Sequence, residues 1–172
     1  MKRKIALFVI IAVCFILQCT VFQVWDFSNI SPNLLLVVTS AFGFMRGSKE
    51  GMWIGFFCGL LMDIFFGFHL GVYALIYMYI GLLNGFFQKW FFPDDIKMPL
   101  GLLAASDLLY GLSVYFILYL FRSKFDFGYY LKSIILPELI YTMVISIGLY
   151  LLLLKINQKI EEDEKRRAKK FD

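Results

Sequence analysis

The stretch Gly51-Met-Trp-Ile-Gly55-Phe-Phe-Cys-Gly59-Leu-Leu-Met-Asp63 sets a glycine at every fourth position and closes on a carboxylate inside an apolar run. Four residues of an α-helix turn through about 400°, so these glycines and Asp63 share one face that drifts by about 40° per step. A face without side-chain bulk lets a second helix backbone approach closely, a device of helices packed in lipid. The same interval places Gly43 and Gly47 before this stretch and Gly67 and Gly71 after it. The charged turn Arg46-Gly-Ser-Lys-Glu-Gly51 cuts the ladder, which is therefore not one straight helix. Two uses of the face stand side by side: packing inside the chain's own bundle, or docking the span of another protein. For the second use, Gly51, Gly55, Gly59 and Asp63 are the candidate contact residues. Gly81 and Gly85 read as local packing.

Outward from this stretch the chain remains apolar. Of its 172 residues 60% are hydrophobic, 17% charged and 19% aromatic, with a mean hydropathy of +0.75. Such values exclude a soluble domain, a disordered chain and a disulfide scaffold. Apolar runs cover Ile5 to Trp25, the residues after Asn33 to about Met45, Met52 to Phe66, Leu70 to Phe87, Leu100 to Phe121 and Ile134 to Leu154. With about 20 residues per membrane span, six spans leave room for short loops and a tail, and none for a separate catalytic domain. The first run follows Lys2, Arg3 and Lys4 as in a signal peptide, but it is too long and has no small-residue cleavage site, so it reads as a retained span. Pro32 stands where the second helix begins.

Lysine and arginine accumulate in cytoplasmic segments. With the N-terminus inside, the inner segments hold 14 of the 17 basic residues, and the outer loops hold Arg122, Lys124 and Lys132. The expected fold is an all-α membrane protein, a compact bundle of six transmembrane helices with both termini cytoplasmic. Residues 1–154 form the six-span domain and residues 155–172 a charged cytoplasmic helical tail. In that tail Glu161 and Lys165, Glu162 and Arg166, and Asp163 and Arg167 stand at i,i+4 in the favourable order. Lys165 to Lys170 suit either solvent or a contact with anionic lipid or a partner. No module for nucleic acid accompanies these charges.

Little in the chain suggests enzymatic chemistry. Cys14, Cys19 and Cys58 lie in apolar runs and read as small buried residues. A single histidine, His69, in a short outer turn, gives a metal none of its usual clustered ligands. There is no nucleotide-binding loop, catalytic triad or cofactor motif. Three acids, Asp63, Asp107 and Glu138, fall inside spans, where ionised groups are costly and are functional candidates by default. Asp63 and Glu138 belong near the outer surface and Asp107 about 10 Å from the inner end of its helix, which argues against one cluster of three carboxylates. They serve as hydrogen-bonded packing glue with Tyr110, Tyr141 and Thr142 at helical spacing, as contacts for charged groups of a partner, or as a proton relay or substrate site. Aspartyl catalysis requires two close carboxylates.

The stretches Pro32-Asn-Leu-Leu-Leu-Val-Val38, Gly51 to Asp63, Gly71-Val-Tyr-Ala-Leu-Ile-Tyr77 and Gly81-Leu-Leu-Asn-Gly85 resemble the MreD family of bacterial rod shape-determining membrane proteins. Pro137 and Ile140 to Ile156 look like that family's last span. Gly55, Gly59 and Asp63 match its glycine-rich, acid-ending motif, and Gly71 its following glycine. The resemblance implies a non-enzymatic scaffold of the elongation machinery in the cytoplasmic membrane, without a cofactor. It implies pairing with MreC and, through it, with MreB, RodA and a class B penicillin-binding protein. It also implies a fold similar to the substrate-binding subunits of energy-coupling-factor transporters, which supplies the alternative function, a vitamin-type transport subunit. Such subunits carry an Ala-x-x-x-Ala surface on their first helix, and Ala6 and Ala12 do not have that spacing.

Overall fold

The computed structural model describes residues 2–24, 31–67, 70–90, 96–119 and 127–168. His69, the connections 25–30, 91–95 and 120–126, and the end of the tail lie outside these residues, as do the side chains of 163–168. All regular structure among the described residues is helical. The elements are α1 (Lys2–Val24), α2 (Leu34–Arg46), α3 (Ser48–Phe66), α4 (Val72–Phe86), a 3-10 turn (Phe87–Trp90), α5 (Lys97–Val114), a short α6 (Phe127–Tyr130) and α7 (Leu136–Ala168). A π-helical segment, Tyr115–Tyr119, extends α5, and another, Leu131–Ile135, joins α6 to α7. The described residues therefore form six helical bodies. Two of them, Lys97–Ile117 and Gly128–Glu162, are long and apolar enough to cross a membrane.

Local chemistry sets the breaks. Asn33 caps α2, its Oδ1 accepting the Leu36 N–H at 3.2 Å, which satisfies one of the donors left open at a helix start. Gly47 alone separates α2 from α3, with a φ of 98° that side-chain-bearing residues rarely adopt. The sequence expectation of a six-residue turn over 46–51 is thus corrected: Ser48, Lys49 and Glu50 already belong to α3, and the charges sit on its first turn. Pro99 lies in the first turn of α5, where a missing N–H costs nothing. The last body starts earlier than the apolar run from Ile134, since Phe127–Ile135 is already helical. Its π-helical widening comes just before Pro137, which donates no N–H and crowds the preceding turn.

Helix α2 is the core of the bundle. Every residue from Leu34 to Met45 is buried, against α3 and α4 on one side and α5, α7 and α1 on the others. The outer surface is apolar too: Phe8, Val13 and Ile16 of α1, Trp53, Phe57 and Ile64 of α3, Leu75 and Tyr79 of α4, and Ile140 and Val144 of α7 are exposed. A chain buried on the inside and apolar on the outside cannot show the one-sided periodicity of a helix at a water interface.

Candidate functional site

The glycine ladder and Asp63 meet α4 of the same chain, and α3 and α4 form the most extensive helix contact in the molecule. A Cβ built on Gly55 would collide with the carbonyl of Tyr77, and one on Gly59 with the Tyr73 carbonyl and with Ala74. A Cβ on Gly51 would strike the Gly81 carbonyl and come within 2.7 Å of the Gly43 Cα. The obstacles are backbone atoms, which no side-chain rotation moves. Gly81 returns the contact against Gly51, and Gly85 packs on Gly47 and Ser48. The pair read from sequence as local packing is therefore the α4 half of one glycine seam, and its four-residue spacing was the signal.

At the far end of the seam Asp63, 1% exposed, turns its carboxylate to the start of α4. Oδ1 accepts the Tyr73 N–H at 3.0 Å and Oδ2 the Ala74 N–H at 2.9 Å. The first N–H groups of a helix lack partners within it and carry its positive dipole end, so a carboxylate is well matched there. Gly71, at φ 102°, turns the chain into α4. Asp63 is thus a cap delivered from the preceding helix, and the face Gly51, Gly55, Gly59 and Asp63 is covered by α4.

Beside this hairpin runs a series of buried polar contacts. The Tyr77 hydroxyl donates to Asn33 Oδ1 at 2.6 Å, and the Asn33 N–H donates to Thr142 Oγ1 at 3.2 Å. Gln18 Oε1 accepts the Leu35 N–H. Asn84 donates to the Ile80 carbonyl at 2.9 Å and to Ser106 Oγ at 2.7 Å, and Arg46 donates to Asn157 Oδ1. The Tyr110 ring lies tilted against Tyr73 and edge-to-face against Tyr77. These contacts join helices distant in sequence. Their signal in the sequence is an amide inside or beside an apolar run, at Gln18, Asn33, Asn84 and Asn157.

The three acids of the apolar helices have separate situations. Asp63 is committed to α4. Asp107 is 4% exposed and its Oδ1 has no hydrogen-bond partner among the described residues. Glu138 is half-buried near the start of α7. Asp107 and Glu138 are carried by α5 and α7, helices that pack against each other, an adjacency that helix-by-helix depth does not anticipate. Among the described residues no group of three His, Cys, Asp or Glu side chains stands together to hold a metal ion.

Comparison with known proteins adds the family. No curated protein and no solved structure matches the chain. The family model described as rod shape-determining protein MreD matches residues 1–160, nearly all of the helical bundle just described, and the chain belongs to that family of rod shape-determining proteins.

Proposed function

We propose that this protein is a non-enzymatic, multi-pass scaffold of the cell-elongation complex in the bacterial cytoplasmic membrane. In this reading residues 1–154 cross the membrane six times, both termini are cytoplasmic, and residues 155–172 are a charged helical tail. The scaffold pairs with MreC and through it links MreB, RodA and a class B penicillin-binding protein. The observation that carries the reading is the α3–α4 hairpin within a chain of the MreD family. Its glycine seam and Asp63 cap lock two helices backbone to backbone. The hairpin's outward sides then carry exposed Trp53, Phe57, Leu75 and Tyr79, apolar side chains suited to lipid or to a neighbouring span. Gly51, Gly55, Gly59 and Asp63 thus support a partner contact by fixing the shape of the surface that makes it.

Co-purification with MreC tests the reading. Gly59→Leu pushes α3 from α4 and is expected to abolish the complex, whereas Asp63→Asn keeps the shape and weakens it modestly. An intact complex with Gly59→Leu, in protein shown to be folded and inserted, removes the hairpin from the contact. Depletion is expected to round the cells and misplace wall synthesis. Unchanged width together with lost vitamin uptake favours the transport alternative.

A further inference from the structure

The Asp107 carboxylate is the group whose surroundings leave most unexplained. It is carried by α5, which packs against α2, α4 and α7, and water reaches almost none of it. Oδ1 has no donor among the described residues. Asn84 of α4, 3% exposed, presents a second such acceptor, its Oδ1, while its amide nitrogen is held 2.7 Å from the hydroxyl of Ser106, the residue before Asp107. Two acceptor oxygens shut away from water on adjoining helices ask for a positively charged or proton-bearing species. A buried carboxylate without one is strongly disfavoured. Carboxylate and amide oxygens with neighbouring hydroxyls are the hard ligands that small hard cations take.

We propose that Asp107, assisted by Asn84 Oδ1, is a binding site for a small monovalent cation, a sodium ion or a proton, in the interior of the bundle. The other titratable or charged groups on the elements packed against α5 are Tyr73, Tyr77 and Tyr79 of α4, Glu138, Tyr141, Tyr150 and the charged residues from Lys155 onward of α7, and Arg46 at the C-terminal end of α2; α5 itself adds Lys97 and Tyr110. Glu138, on α7 packed against α5, is the competing source of any pH response. The site does not depend on contact with MreC.

The test uses the full-length protein in lipid nanodiscs and reads thermal unfolding in two titrations. One exchanges choline for sodium at constant ionic strength, and the other varies pH without sodium. The expected result is a wild-type midpoint that responds to at least one titration, a response lost in Asp107→Asn and kept in Glu138→Gln. The titration that produces it identifies the occupant. Asn84→Ala is expected to shift the concentration for half-response by about tenfold, which keeps the proposal testable if Asp107→Asn does not fold. A wild type that responds to neither titration overturns the proposal. So does a response that survives in folded Asp107→Asn, disappears in Glu138→Gln, or is unmoved by Asn84→Ala when Asp107→Asn does not fold.

Discussion

The carboxylate of Asp63, the last rung of the α3 glycine face, holds the N–H of Ala74 at 2.9 Å across the turn into α4. With the Tyr73 N–H taken by its other oxygen, one side chain satisfies two open donors of the following helix and fixes where α4 begins along α3.

Removing that carboxylate leaves two shielded N–H groups without an acceptor. Asp63→Ala is expected to lower stability by about 2–4 kcal/mol, and Asp63→Asn, which keeps one oxygen, by about half as much. Unfolding in detergent micelles measures the difference, and equal losses for the two variants contradict the capping role.

The glycines divide by what surrounds them. Gly59→Ala drives a methyl into the backbone of Tyr73 and Ala74 and is expected to cost about 3 kcal/mol or more. Gly101 and Gly148 have open space where a Cβ would go, so alanine there is expected to change stability by no more than about 0.5 kcal/mol. Thermal midpoints of the three variants, side by side, check the contrast.

How far the sequence carried can be judged from these same residues. The four-residue period of Gly51, Gly55, Gly59 and Asp63 was legible because helical geometry fixes which positions share a face. What covered the face was not, because small residues permit close approach by any helix. Gly81 and Gly85 show why: each half of the seam is a weak pattern alone, and only their meeting gives it meaning. The extent of α3 was misjudged at Gly51 because Lys49 and Glu50 resemble a loop, whereas a single positive-φ glycine, Gly47, makes the whole turn. The acids stand out in the sequence, but the helices that carry Asp107 and Glu138 are neighbours, and span-by-span depth carries no information on that.

The Tyr77 hydroxyl ties α4 to the cap of α2 through Asn33. Tyr77→Phe removes the donor and leaves the Leu36 N–H as the bond to Asn33 Oδ1. A loss of about 1 kcal/mol is expected. Asn33→Leu removes both bonds and is expected to cost about 3 kcal/mol, with the same unfolding assay as the check.

The six-span reading makes an accessibility prediction. A cysteine introduced at Lys132, in a background lacking Cys14, Cys19 and Cys58, is expected to react with an impermeant thiol reagent from outside the cell. One at Lys159 is expected to react only after the membrane is opened. Labelling of both from the same side defeats an even number of spans with cytoplasmic ends.

Helix α2 has a consequence for the order in which the chain is assembled. Its 13 residues span about 20 Å, short of the roughly 30 Å hydrocarbon layer, so it is poorly suited to standing alone in lipid. It leaves the ribosome well before α7, yet α7 closes over it: Asn33 at one end reaches Thr142, and Arg46 at the other reaches Asn157. The central helix therefore waits, partly sheltered by α1 and the α3–α4 hairpin, until α7 has been made. A chain cut short before α7 leaves both ends of α2 without these partners and one side of a fully buried helix uncovered.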